Sequence, residues 1–196
     1  MLKCVIFDLD NTLVDSDLDF SAIKAEIGTT EPILEHRAQL DAAGQRRVDE
    51  ILDRHERRAA ESCGLCQGAP EMMAFLRQRR LKTALLTRNS RASVNTVLRR
   101  HALQFDCIVA REDSAPKPSP EPVRLICRRL AVEPRECMLI GDYLFDIEAG
   151  QAAGTATLLL DGPHRKKFTA KPDYEAATLH QAVEILSHLL EKEPSP

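Results

Sequence analysis

The residues best suited to chemistry are two aspartates one residue apart, Asp8 and Asp10, at the end of a short apolar run from Cys4 to Phe7. If that run is a buried strand, positions i and i+2 project from the same side, so both carboxylates sit on one rim. Like charges held this close raise one another's pKa unless a cation lies between them. A strand closing in a polar turn would use the same residue types, since Asp and Asn are common turn formers. The other strand ends bear on the choice. Gly141-Asp142-Tyr143-Leu144-Phe145-Asp146 places two more carboxylates after a second apolar run. With a helix starting near Tyr143, Asp142 and Asp146 fall on one face, one turn apart. Each has an ordinary reading as a helix cap or first-turn acid. Together with Asp8 and Asp10 they form an oxygen-only donor set of the kind that suits Mg²⁺, which keeps several waters and takes a substrate phosphate as an additional ligand.

Two further residues suit an anion. Thr87 ends a third apolar run and offers a hydroxyl beside backbone N–H groups at the start of the helix after Ser90. Lys117 is held in Pro116-Lys117-Pro118, where the flanking prolines limit backbone freedom and lower the cost of ordering its side chain. Arg88, beside Thr87, joins them as a phosphate-binding candidate. Two readings of it stand open: a reach towards a second acidic group on the substrate, or a side chain in solvent.

The elements that must position these residues alternate. Leu2–Leu9 reads as a strand, Lys82–Leu86, Phe105–Ala110, Cys137–Ile140 and Thr155–Leu160 as others, with helices at 69–79, 91–101, 121–130 and 143–153 between them. A short strand near Tyr174 and an amphipathic helix over 179–190 complete the pattern. Such alternation implies parallel βαβ units with right-handed crossovers, and ligands in such sheets bind beyond the carboxyl ends of the strands. Residues 16–67 instead read as all helix, without strand signal. The stripe of the longest helix is Val48, Ile51, Leu52, His55 and Ala59, with His55 a packed core histidine. The expected architecture is therefore an α/β, Rossmann-like parallel sheet flanked by helices, formed by residues 1–15 and 68–196. A small all-helical cap over 16–67 is inserted after the first strand and is well placed to act as a lid hinged at Asp15–Ser16 and Gly64–Gly68.

Composition is that of a soluble globular protein: 43% hydrophobic and 29% charged residues over 196 positions. The net charge of −3 argues against a nucleic-acid surface, and no apolar run approaches the length of a membrane span. Little room precedes the first strand for a removable leader, and a cytoplasmic location with reduced thiols is expected for the six cysteines. Cys63 and Cys66 have C-x-x-C spacing but lack a second pair, so coincidence is the simpler reading. The basic run His164-Arg165-Lys166-Lys167 reads as a solvated loop.

In motif and order these residues resemble the haloacid dehalogenase-like hydrolase superfamily. Asp8-Leu9-Asp10-Asn11-Thr12 is similar to its first motif, Thr87 to the second, Lys117 to the third and Gly141-Asp142…Asp146 to the fourth, spanning residues 4 to about 160. The helical insert resembles the type 1 cap of the phosphoglycolate phosphatase-like and β-phosphoglucomutase-like branch. The resemblance implies that Asp8 attacks phosphorus and forms an aspartyl-phosphate, while Asp10 acts as general acid and base. It implies Mg²⁺ bound by Asp8, the backbone carbonyl of Asp10 and Asp142, with Asp146 supporting it directly or from the outer shell, and phosphoryl oxygens held by Thr87 and Lys117. An acid at Asp10 points to phosphate esters, because the dehalogenases and phosphonate hydrolases of the superfamily lack it. The expected substrate is a small phosphorylated metabolite. A phosphomutase and a non-catalytic binding protein are the alternatives, and oligomeric state is left open.

Overall fold

The computed structural model describes residues 1–161 and 169–192, so the basic run at 164–167 lies outside the described residues. By its contacts the chain divides into two compact units: Met1–Asp15, Gly64–Arg88 and Gln104–Pro196 in one, Ser16–Cys63 and Asn89–Leu103 in the other.

The first unit is built on a sheet that, among the described residues, has six strands, all parallel: β1 (Cys4–Phe7), β4 (Lys82–Leu86), β5 (Cys107–Val109), β6 (Cys137–Gly141), β7 (Ala156–Leu160) and β8 (Tyr174–Ala176). Their spatial order is β5-β4-β1-β6-β7-β8. From β1 the chain builds outward first on one side and then on the other, so the switch in strand order falls at β1, where α/β sheets open a crevice beyond the strand ends. Residues on successive strands alternate between faces. Cys4 and Ile6, Ala84 and Leu86, Cys107 and Val109, and Cys137 and Leu139 join Val123, Ile126, Cys127 and Leu130 in one buried core. Those last four lie on α6 (Glu121–Leu130), which packs beside α7 (Leu144–Ala153). Helix α4 (Ala69–Gln78) packs with α8 (Leu179–Lys192). The sequence pattern of strands and helices is met, with β5 shorter at both ends than its apolar run.

A two-residue antiparallel pairing departs from expectation. β2 (Val14–Asp15) pairs with β3 (Gly64–Leu65), so the region after residue 15 is not wholly helical. Two residues carry no periodicity that a sequence pattern could reveal.

The second unit is helical: α1 (Phe20–Ile27), α2 (Ile33–Ala38), α3 (Ala42–Ser62) and α5 (Arg91–His101). Asp19 caps α1 by accepting the N–H groups of Ser21 and Ala22 at 3.0 and 2.9 Å, and Gly28 ends it at φ 86°, where glycine carries no Cβ penalty. Ile23, Ile33, Val48, Ile51 and Leu52 form its core. The stripe of α3 needs one correction. His55 is not a core residue: its ring nitrogen meets Glu26 at 2.8 Å and its side chain is 25% exposed. The next residue, Glu56, is buried instead.

Candidate active site

Asp8 directly follows β1, and the sheet ladder continues past the strand to hold it: its N–H donates to Ile140 at 2.9 Å. Thr87 is fixed in the same way beyond β4, donating its N–H to Val109 at 3.1 Å. The chain then turns sharply after Asp8. The N–H groups of Leu13 and Val14 converge on the Leu9 carbonyl at 2.9 and 3.1 Å, and Asn11 takes φ 56°, a conformation Asn tolerates better than most residues. Asp10 lies inside this turn, bridged to Val14.

The organising contact is made by Lys117. Its side chain is 3% exposed, and Nζ donates to Asp8 Oδ1 at 2.6 Å, to Asp146 Oδ1 at 2.5 Å and to the Leu86 carbonyl at 3.1 Å. All three ammonium hydrogens are therefore directed at acceptors from the ends of β1 and β4 and from the first turn of α7. Asp146 is 1% exposed, and its Oδ2 accepts the Tyr143 N–H at 3.2 Å, which ties the first turn of α7 to the same cluster. Asp142, half-buried, precedes that helix. Carboxylate oxygens of Asp8, Asp142 and Asp146 lie within 4.8 Å of one another.

Space for Asp146 depends on Gly141. A Cβ built on Gly141 would lie 2.2 Å from the Asp146 Cγ and 2.3 Å from its Oδ2. The absent side chain is what lets the buried carboxylate close on the strand end.

The electrostatics show a cluster short of positive charge. Burial pushes the Asp146 carboxyl up to about 6; Lys117 opposes the rise and Asp8 adds to it. Burial alone would lower Lys117, but Asp146 and Asp8 outweigh it and hold the ammonium above the ordinary lysine value. One ammonium thus serves several acids, and an additional cation would relieve them. The donor set fits a hard divalent ion, since every candidate ligand is oxygen.

The structure brings together Asp8, Lys117, Asp142 and Asp146, with Thr87 at the end of the adjacent β4 and Asp10 in the turn that follows β1. Arg88 does not point to solvent. It is half-buried, donates from Nη1 to the Lys117 backbone carbonyl, and lies over the Phe145 ring with Cζ 4.7 Å from the centroid. The start of α5 also differs from expectation: the Ser90 N–H is taken by the buried Glu56 carboxylate at 2.9 Å.

Two contacts were missed in the sequence, one in each unit. Glu56 carried no signal beyond lying four residues after Leu52 on the α3 stripe. Cys66 is the other. Its thiol is pushed up to about 11, by burial first and then by Asp15, Asp142 and Asp10, so it sits in the field of the acidic cluster. No disulfide joins any of the six cysteines.

Comparison with known proteins agrees with this geometry. A family model described as haloacid dehalogenase-like hydrolase matches residues 2–154. A haloacid dehalogenase-like hydrolase domain-containing protein of Arabidopsis thaliana is 30% identical, over 94% of this chain and 84% of its own length. The N-acetylmuramic acid 6-phosphate phosphatase of Pseudomonas aeruginosa is 29% identical over 80% of each chain. Among solved structures, a predicted phosphoglycolate phosphatase from Haemophilus somnus shares the fold, with a TM-score of 0.73 at 18% identity, over 94% of this chain and 98% of its own. The matched family and the 30% identical relative, together with the strand-end cluster of acids and lysine, show that the chain belongs to the haloacid dehalogenase-like hydrolases.

Proposed function

We propose that this chain is a Mg²⁺-dependent phosphatase of a small phosphorylated metabolite, working through an aspartyl-phosphate on Asp8. The observation that carries the reading is the Lys117 ammonium held at 2.6 Å from Asp8 and 2.5 Å from Asp146, beside a third acid, Asp142. A nucleophilic carboxylate must face a phosphoryl group that is itself negative, so positive charge beside it is a requirement of the chemistry. Lys117 supplies that charge at a fixed place and orients the Asp8 carboxylate.

In this reading Asp8 attacks phosphorus. The P–O bond to the leaving group breaks as Asp10 gives that oxygen a proton. Asp10 then takes a proton from the water that attacks the aspartyl-phosphate, releasing inorganic phosphate and restoring the Asp8 carboxylate and the protonated Asp10. The Thr87 hydroxyl holds a phosphoryl oxygen, and Lys117, whose three N–H groups are directed at Asp8, Asp146 and Leu86, contributes its charge beside the phosphoryl group. Mg²⁺ at Asp8, Asp142, Asp146 and the Asp10 carbonyl would contribute the further positive charge that the cluster lacks. We place the protein in the cytoplasm; among the described residues no helix is long and apolar enough to cross a membrane.

The test is phosphate release from p-nitrophenyl phosphate and from a panel of sugar, sugar-acid and two-carbon acid phosphates, with Mg²⁺ and with chelator. Release that requires Mg²⁺ and is lost in Asp8→Asn supports the proposal. Background release from both proteins across the whole panel overturns it.

A further inference from the structure

Three loops of the α/β unit meet at Arg88. It follows Thr87 at the end of β4, its Nη1 donates to the Lys117 carbonyl, and its guanidinium covers Phe145 in the first turn of α7. Phe145 is itself backed by Tyr143, edge to face, with centroids 5.0 Å apart and planes at 79°. Resting on the Asp8–Lys117 chemistry proposed above, we propose that Arg88 is a positioning residue. It braces the Lys117 peptide so that the ammonium stays between Asp8 and Asp146, and it does not serve as the ligand of a second acidic group on the substrate.

The physical case has two parts. A lysine side chain has four methylene groups, so the place of its Nζ depends on where its backbone is held. The Lys117 carbonyl lies in a loop with proline at 116, 118 and 120, where only Lys117 and Ser119 carry N–H groups to tie the backbone down. Ser119 uses its own on the Pro116 carbonyl at 3.0 Å, a bond local to the loop. Arg88 provides a tie from outside it. Its chemistry is also specific: a planar guanidinium stacks on an aromatic face while donating in its own plane, which an ammonium at the same position cannot do together. With one edge on Lys117 and one face on Phe145, the group is oriented by the protein itself.

Arg88→Ala and Arg88→Lys test this by two readouts. The first is independent of turnover: amide hydrogen exchange of the peptide carrying Lys117 and Ser119. Both variants are expected to speed that exchange about tenfold while the amides of β1 and β6 keep their protection. Unchanged exchange overturns the brace, whatever the activity. The second is kinetic, with p-nitrophenyl phosphate, which has no second acidic group, compared with phosphoglycolate, which has one. The brace predicts that kcat falls roughly 10- to 100-fold on both alike, since a catalytic group displaced by about 1 Å loses about that much. Partial recovery of Arg88→Ala by added ethylguanidinium is also expected. A rise in KM confined to phosphoglycolate overturns the proposal in favour of a direct substrate ligand. A wild-type protein inactive on every phosphate ester would count against the phosphatase reading, and the exchange result would still decide the brace.

Discussion

Replacing Lys117 with methionine keeps most of the side-chain volume and removes only the charge and its three donated bonds. The consequence follows from burial. Lys117, Asp146 and Asp8 are 3%, 1% and 13% exposed, so the variant strands Asp146 in the interior with its cation gone. Removing one partner of a buried ion pair costs about 3–5 kcal/mol, a large share of the roughly 5–15 kcal/mol that holds a domain folded. The pH dependence has a definite sign. Asp146 is raised to about 6 even with Lys117 present, and losing Lys117 raises it further. The folded variant then binds this proton more tightly than the unfolded chain, so its stability falls as pH rises from the ordinary carboxylate value through the raised one. Relative to wild type, the charge-dependent part of the deficit should be small below about pH 6, where Asp146 is protonated in both folded proteins, and should grow as pH rises above it. Urea unfolding followed by far-ultraviolet circular dichroism, in chelator, measures both. Adding Asp146→Asn to Lys117→Met removes the stranded charge and is expected to recover roughly half of the loss or more. A Lys117→Met protein within about 1 kcal/mol of wild type at neutral pH, or a double variant no more stable than the single, would refute this account of the cluster.

Three other perturbations have defined outcomes. Gly141→Ala drives a methyl group to 2.2 Å from the Asp146 Cγ, so kcat should fall roughly hundredfold and stability by about 1–3 kcal/mol, measured by steady-state kinetics and urea unfolding. Glu56→Ala leaves the buried Ser90 N–H without its carboxylate acceptor and should cost about 1.5–3 kcal/mol, partly restored in Glu56→Gln; a loss below about 0.5 kcal/mol would contradict that role. Cys66, its thiol at about 11, should alkylate with iodoacetamide at pH 8 about a hundredfold more slowly than an ordinary thiol, and faster once Mg²⁺ neutralises the neighbouring acids. Peptide-resolved mass spectrometry reads the label, and a rate equal to that of glutathione would rule out the acidic surroundings.

What the sequence disclosed was set by how local each signal is. Asp8, Thr87, Asp142 and Asp146 stand where apolar runs end, and a parallel α/β sheet brings such ends to one edge, so their convergence could be read before any coordinates. Lys117 needed the additional clue of its two prolines. The partner contacts were of another kind. Glu56 is buried because it meets the Ser90 N–H, and nothing in the period of α3 distinguishes it from His55, which turns out to face Glu26. Arg88 could be placed beside Thr87, but its stack on Phe145 and its bond to Lys117 depend on how three loops approach one another. The pairing of Val14–Asp15 with Gly64–Leu65 is too short for any pattern, and with it went the surroundings of Cys66, read as part of the helical insert and found in the field of the acids.

The central claim is that Asp8 becomes covalently phosphorylated, and that species can be captured directly. Asp10→Asn is the suitable protein, because p-nitrophenolate leaves readily without a proton while hydrolysis of the aspartyl-phosphate still needs a base. Mixing this variant with p-nitrophenyl phosphate and Mg²⁺, quenching, and reducing with borohydride converts an acyl-phosphate to the alcohol. The account predicts homoserine at position 8, found by peptide mass spectrometry, and none when Mg²⁺ or the ester is omitted. Steady release of p-nitrophenolate with Asp8 unaltered, or the modification at another acid, would contradict it.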